Sequence, residues 1–319
     1  MTGESPAALP TLDDVRAAAT RIAPHVRRTP VLVPSALRQP LTQDQGLVLK
    51  LECLQVTGSF KARGAVNRLL ALGDDARRGV VTASGGNHGL AVAYAAWLVG
   101  APATVFVPDS TPAAKREKLA RWDAEVIVTG QVWDDAHAAA LERAAAEGLT
   151  YVHPFADREV IAGQGTLALE LLEDAPELDT LLVAVGGGGL IGGVALSARA
   201  LSPGIRVVGV EPTGAPTLHE SLARGELVTL PAITTAAGSL APRRSAPPNL
   251  ELARRHVEQI ILVGDDDARA AARWLWFELG VGAELGGAAA VAALLSGRYV
   301  PAGGERVAAI VCGAGTDFA

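Results

Sequence analysis

Short apolar runs alternate with longer helix-length runs through the middle of the chain. Residues 79–84 (GVVTAS), 103–108 (ATVFVP), 124–130 (AEVIVTG) and 180–185 (TLLVAV) are rich in β-branched residues and apolar at successive positions. Strands covered on both faces read this way. Each is followed by a run long enough for a helix: NHGLAVAYAAWLVG from 87, TPAAKREKLARW from 111, QVWDDAHAAALERAAAEG from 131 and GLIGGVALSARAL from 189. RVVGVE (206–211), QIILVG (259–264) and RVAAIVCG (306–313) add further strands. The alternation predicts an α/β protein with a mostly parallel sheet, or two of them.

Local signals refine this outline. Thr11 and Asp14 form a capping box that opens a helix through about residue 26. Ser59 is placed to cap a helix from Phe60 to Leu72, with Ala65, Val66, Leu69 and Leu70 on its inner face. Three prolines in 241–249 (APRRSAPPN) predict a loop. Breaks near 71–79 and 153–159 divide the chain into a large domain, 1–74 with 155–319, and a small domain inserted at 75–154.

Composition narrows the function classes. Of 319 residues, 49% are hydrophobic and 19% charged, and the net charge of −6 argues against a nucleic-acid surface. Residues 181–198 carry no charge, but four successive glycines oppose a membrane-spanning helix. The first residues lack a basic segment followed by an apolar one, so a soluble, cytoplasmic protein is expected. Two cysteines, Cys53 and Cys312, cannot build a disulfide framework. Only four of the 28 basic residues are lysines (Lys50, Lys61, Lys115 and Lys118), which makes each lysine informative.

Three motifs carry candidate chemistry. In VAVGGGGLIGG a strand runs into Gly186, Gly187, Gly188 and Gly189 and then into a helix. Converging N–H groups and the positive end of the helix dipole suit a phosphate. The same residues match G-x-G-x-x-G at Gly187, Gly189 and Gly192, with Glu211 ending the next strand, so dinucleotide binding is the rival reading. In TASGGNHG, Ser84, Gly85, Gly86, Asn87 and His88 join a strand to a helix and suit a carboxylate. The plainer reading is a capped helix start, with Asn87 as the cap and His88 on the surface. In TGSFKARGA, Lys61 falls in a first helical turn, where a cation is disfavoured, among small and aromatic neighbours. Such a setting favours the neutral, nucleophilic amine, against the plainer reading of a solvated surface lysine.

A reactive amine between a phosphate site and a carboxylate site meets the needs of a phosphorylated aldehyde condensing with an amino acid. With TGSFKARGA, TASGGNHGLAVAYAA, GQGTLALE, VAVGGGGLIGG, VGVEPTGAPTL and VCGAGTD in order, the chain resembles the fold-type II pyridoxal-phosphate enzymes, specifically the threonine/serine dehydratases and serine racemases. The resemblance implies a tryptophan synthase β-like fold, two parallel-sheet α/β domains with the cofactor between them, and a homodimer. It implies that Lys61 carries the pyridoxal 5′-phosphate as a Schiff base and later moves the Cα proton. Phe60 would lie against the ring, Asn87 would bond its 3′-oxygen, and Gly186, Gly187, Gly188 and Gly189 would hold the phosphate. Gly238 would approach the ring or the substrate, Glu284 the ring edge, and Cys312 the ring nitrogen. Ser84, Gly85, Asn87 and His88 would bind the carboxylate of a small amino-acid substrate.

The implied reaction is β-elimination of water from L-threonine or L-serine, giving a 2-oxo acid and ammonia. Racemisation of serine, or dehydration of hydroxyaspartate or phenylserine, are the alternatives within the family. Gly85 stands where serine racemases carry a second serine, and a glycine cannot move a proton, which favours dehydration. The family's cation site maps to Glu211 and Ala215, but Thr217 replaces its aspartate, so a divalent cation is not expected. The chain stops at Ala319, and no appended regulatory domain is expected.

Overall fold

Strands buried on both faces need helices on both sides, and the chain supplies them in two layers of sheet. The computed structural model describes residues 8–42 and 46–315. Among these residues the strands are β1 (Val31–Leu32), β2 (Leu47–Lys50), β3 (Val80–Ala83), β4 (Ala103–Val107), β5 (Glu125–Val128), β6 (Thr150–Tyr151), β7 (Thr180–Ala184), β8 (Arg206–Pro212), β9 (Gln259–Val263) and β10 (Val307–Ile310). The helices are α1 (Leu12–Ile22), α2 (Lys61–Leu72), α3 (Asn87–Val99), α4 (Ala113–Ala120), α5 (Trp133–Glu147), α6 (Arg158–Asp174), α7 (Gly189–Leu201), α8 (Thr217–Arg224), α9 (Pro247–His256), α10 (Asp265–Leu279) and α11 (Leu285–Leu295).

One sheet runs β1-β2-β10-β7-β8-β9, parallel except where β1 meets β2. The other runs β5-β4-β3-β6 and is parallel throughout. The protein thus has two α/β domains with parallel sheets. The hydrophobic cluster beside the smaller sheet also takes Ile22 from α1, Ala65, Val66 and Leu69 from α2, and Val160 from α6. Helices of the larger unit therefore pack directly on the smaller one.

Two expectations change in detail. The Thr11–Asp14 capping box is present, but α1 ends at Ile22 rather than near 26. The stretch expected as a loop over 241–249 already turns helical at Pro247, because proline's fixed φ suits the first helical positions. Residues 181–198 are β7 plus the start of α7, and among the described residues no helix is long and apolar enough to cross a membrane.

The strand directions place the chemistry. Ser84 follows β3, His153 follows β6, Gly186 follows β7 and Cys312 follows β10. Carboxyl ends of parallel strands are where open α/β sheets bind ligands.

Behind this edge lies a buried charge cluster. Arg63, fully buried on α2, grips Glu52 through Nε and Nη2 at 2.8 Å each, and Glu170 of α6 through Nη1 at 2.7 Å and Nη2 at 2.8 Å. Lys50 at the end of β2, also fully buried, donates to Glu170 at 2.7 Å and to the Thr29 carbonyl at 2.8 Å. Burial alone would lower the Arg63 pKa, but the Glu52 and Glu170 carboxylates outweigh it and hold the guanidinium charged. Arg63→Ala strands Glu52 in the core and should cost about 3–5 kcal/mol. Urea unfolding followed by circular dichroism measures this; a loss below about 1 kcal/mol would show the cluster to be dispensable.

Candidate active site

Residues 56–60 arrive at α2 through a strained turn and a cross-brace. Thr57 is left-handed (φ 63°), a region β-branched residues seldom occupy. Ser59 then bridges Gly313, Phe60 N–H donates to the Cys312 carbonyl at 3.1 Å, and Ala314 N–H donates to the Gly58 carbonyl at 2.9 Å. This bracing corrects the expected cap. With Ser59 extended against Gly313, Phe60 takes the N-cap position, and the buried Ser59 Oγ has no hydrogen-bond partner. Lys61 therefore opens α2. Its Nζ donates to the Pro154 carbonyl at 2.6 Å and lies 5.1 Å from the Phe60 ring centre. Burial pushes the amine down to about 8, although Cys312 and Glu284 nearby pull the other way.

The glycine run forms a cup walled by protein. Gly188 is left-handed (φ 93°), and a Cβ at Gly187 would overlap the Phe155 ring. The Gly187 carbonyl accepts from Ser245 Oγ at 3.0 Å and from Asn249 Nδ2 at 2.7 Å, which pins the outer side of the loop. The N–H groups of Gly186, Gly187 and Gly188 donate to no protein group among the described residues. They precede the N-terminus of α7, whose partial positive charge adds to theirs.

Across from the cup, β3 runs through Ser84, Gly85 and Gly86 into α3. Asn87 and His88 are buried in the first turn, so His88 is not the surface residue of the plainer reading, and Gly86, not Asn87, is the N-cap. Their amides have no acceptor within the helix. Ser84 Oγ accepts from Gly86 N–H at 3.3 Å. Asn87 Nδ2 donates to Glu284 Oε1 at 2.7 Å, tying α3 to the start of α11. His88 Nε2 donates to the Val152 carbonyl at 3.0 Å; burial, then Lys61, pushes the ring down to about 3, so it is neutral. Cys312 Sγ donates to the Gly286 carbonyl at 3.5 Å, and burial pushes the thiol up. Gly238 begins a short turn where a Cβ would meet nothing within 4 Å.

Glu211 has other duties. It is fully buried, and its oxygens accept from Leu218 N–H and His219 N–H at 2.8 Å each, so it caps α8. Burial pushes it up to about 8, and both of its oxygens are already taken by amides of α8. Ala215 is buried and its carbonyl accepts from Thr217 N–H at 2.9 Å. No cluster of metal-ligating side chains occurs among the described residues.

The structure adds residues that the sequence reading used only as a domain break. His153, Pro154 and Phe155 run between Lys61 and the glycine cup. His153 Nδ1 accepts from Phe155 N–H at 3.2 Å and Ala156 N–H at 3.0 Å, which leaves the proton on Nε2. Asn249, in the proline-rich stretch read as a loop, is the residue that pins the cup. A bare asparagine carries no sequence signal for that task.

These residues fit a phosphorylated aldehyde. The lowered amine lies on the Pro154 carbonyl, one residue before the Phe155 ring that walls the cup of unpaired amides, and the buried Thr57 Oγ1, Ser59 Oγ, Asn87 Oδ1 and His88 Nδ1 have no partner. Buried polar atoms normally have partners, and these four lie on the turn that leads into Lys61 and in the first turn of α3, where a polar ligand would satisfy them.

Comparison with known proteins places the chain in a family. The family model described as pyridoxal-phosphate dependent enzyme matches residues 22–313. The L-threonine ammonia-lyase of Thermotoga maritima is 38% identical over 308 residues, covering 96% of this chain and 76% of that one. The phenylserine dehydratase of Ralstonia pickettii is 38% identical over 323 residues, covering 100% and 97%. The solved structure of maize serine racemase superposes with a TM-score of 0.90 at 36% identity, covering 96% and 94%. The chain therefore belongs to the fold-type II pyridoxal-phosphate dependent enzymes, and pyridoxal 5′-phosphate is its cofactor.

Proposed function

We propose that the protein eliminates water from β-hydroxy L-amino acids, L-threonine and L-serine among them, releasing a 2-oxo acid and ammonia. The observation that carries this is the buried Lys61 amine, lowered by burial, with its Nζ on the Pro154 carbonyl one residue before the Phe155 ring that walls the glycine cup. The relatives named L-threonine ammonia-lyase and phenylserine dehydratase support it.

In this reading Gly186, Gly187, Gly188 and Gly189 hold the cofactor phosphate through their amides, and Lys61 is the attachment point. Phe60 flanks the ring, Glu284 stands at its edge, Cys312 faces its nitrogen, and Gly238 lets it approach the backbone. Asn87 keeps a second Nδ2 hydrogen for the 3′-oxygen besides the one given to Glu284. When bound, the cofactor withdraws electrons from the substrate Cα. The amides of Asn87 and His88, with Ser84 and Gly85, hold the substrate carboxylate. Lys61 Nζ, neutral above about pH 8, takes the Cα proton. The Cβ–O bond then breaks, the hydroxyl leaves as water, and hydrolysis of the resulting enamine returns that water and frees ammonia. Cys312, a neutral thiol, cannot hold the ring nitrogen protonated as a carboxylate would, which favours prompt loss of the β-leaving group.

The small domain is taken as residues 75–154, supported by the span of β3 to β6. A cytoplasmic homodimer completes the reading. Trp276 at 59% and Phe277 at 82% exposure on α10 give apolar surface for a second copy.

Lys61→Ala should abolish 2-oxo acid formation, the yellow colour of the Schiff base and covalent fixation of the cofactor by borohydride; turnover above about 1% would refute the role of Lys61. In cofactor-free protein, Lys61 should capture pyridoxal phosphate at a rate half-maximal near pH 8, against the 10.5 of an ordinary lysine. Capture rises with pH because deprotonation exposes the nucleophilic pair; stopped-flow absorbance reads the profile, and a midpoint near 10.5 would contradict the buried amine. A Cβ at Gly85 would lie 2.8 Å from Thr111 Cγ2, so Gly85→Ser needs Thr111→Ala beside it. This double variant should raise the ratio of serine racemisation to elimination, by chiral analysis of leftover substrate. An unchanged ratio would count against a proton-transfer gap at Gly85.

A further inference from the structure

Five rings form one continuous wall on the small-sheet side of the site. Trp133 stacks on His137 with centres 4.6 Å apart and planes at 11°. His137 meets Tyr151 edge-on at 5.3 Å, and His137 Nδ1 lies 2.8 Å from the Tyr151 hydroxyl. Tyr151 meets His153 at 6.1 Å, and His153 meets Phe155 at 4.6 Å, both edge-on. These spacings are those of interacting aromatic pairs.

Three anchors show what the wall borders. At one end, Trp133 Nε1 donates to the Ala83 carbonyl at 2.9 Å, one residue before the carboxylate loop begins at Ser84. At the other end, the Phe155 ring lies against Gly187 of the phosphate cup. Between His153 and Phe155, the Pro154 carbonyl accepts from Lys61 Nζ at 2.6 Å. The wall thus spans from the place of the substrate carboxylate to the place of the phosphate, past the amine that moves the Cα proton. Trp133 stays 39% exposed at its outer end, and the other four rings are only partly buried.

We infer that this wall is the side-chain subsite and that the preferred substrates are β-hydroxy amino acids with an aromatic group on Cβ. The inference rests on the dehydratase reading above and names the substrate class of that same site. A hydroxymethyl or hydroxyethyl side chain covers a fraction of one ring. An aryl group can stack on one ring and meet the next edge-on, gaining beyond simple burial. The wall also lacks a positive charge for an acidic side chain such as that of hydroxyaspartate. Burial holds both His137 and His153 below the ordinary imidazole range, so both are neutral. His153, with its proton fixed on Nε2, and the Tyr151–His137 pair add polar edges that can meet a β-hydroxyl.

The reaction balances without any added reagent. In 3-phenylserine the Cα–H bond breaks and Lys61 takes the proton; the Cβ–O bond breaks and water leaves. Tautomerisation and hydrolysis return that water, so phenylserine gives phenylpyruvate and ammonia.

The test is a steady-state comparison on the holoenzyme of L-threo-3-phenylserine, L-threonine, L-serine and L-threo-3-hydroxyaspartate, with 2-oxo acid and ammonia both measured. Phenylserine should show kcat/KM at least about tenfold above L-threonine. Trp133→Ala should lower the phenylserine-to-threonine ratio about tenfold, chiefly through KM for phenylserine, whereas Trp133→Phe, which keeps a ring, should restore most of it. A wild-type preference for threonine, serine or hydroxyaspartate would overturn the aryl subsite and leave the dehydratase reading standing. A phenylserine preference unmoved by Trp133→Ala would overturn the role of the wall. Failure of all four substrates to yield 2-oxo acid, in a protein whose Lys61 is fixed to the cofactor by borohydride, would overturn the dehydratase reading itself.

Discussion

The fork of Arg63 between Glu52 and Glu170 is the contact on which the reactive end of the fold depends. It joins the short turn after β2 to α2 and α6, Lys50 of β2 pairs with the same Glu170, and the fork sits two residues beyond Lys61. Two cations in the first turn of α2 both face the positive end of the helix dipole. The structure resolves the conflict in two different ways. Arg63 keeps its charge because two carboxylates meet it, whereas Lys61 is given no carboxylate partner close enough to offset its burial. The same helical turn therefore holds one cation rigidly charged and lets the other shed its proton.

Apart from Glu284, the groups around the site do their electrostatic work without formal charge. The glycine cup, proposed above to hold the phosphate, is built from amides of Gly186, Gly187 and Gly188 and a helix dipole, with no arginine among the described contacts that shape it. His88 and His153 are neutral, each with one ring nitrogen committed to backbone. A lysine among neutral dipoles stays near its deprotonation point; a fixed cation beside it would push it further down and compete for the phosphate. The geometry that sets these dipoles is held from behind, by Asn249 on the Gly187 carbonyl and by the Ser59–Gly313 bridge.

Much of this was legible in the sequence because it rests on local chemistry. The strands β3, β4, β7 and β8 announce themselves as β-branched apolar runs, and the glycine cup follows a strand into a helix in consecutive residues. What stayed hidden depends on distant partners. Strand β2 ends in Lys50, which reads as a surface residue until Glu170, 120 positions later, arrives to pair with it. Helix α11 is apolar on every face, so it has no stripe to betray its period. The Ser59 cap failed for a similar reason: a bridge to Gly313, at the far end of the chain, claims its backbone. The aromatic wall draws on α5, β6 and the segment after β6, and only the sheet order brings Trp133, Tyr151 and Phe155 into one row.

In the proposed reaction, the partition between elimination and racemisation would come down to what stands opposite Lys61. Racemisation needs a second proton-moving group on the other face of the substrate. Gly85 offers none, and Thr111 fills the space a side chain there would need, with its Cγ2 only 2.8 Å from an added Cβ. The two neighbouring imidazoles do not fill the role, because His88 gives its Nε2 hydrogen to Val152 and both rings resist protonation. A carbanion formed at Cα then has two exits: reprotonation by Lys61 on the original face, which returns the starting material, or loss of the β-hydroxyl. Without an acid on the opposite face, only the second exit makes product. In the proposed reaction the missing side chain at Gly85 would set the outcome as much as the lysine that starts it.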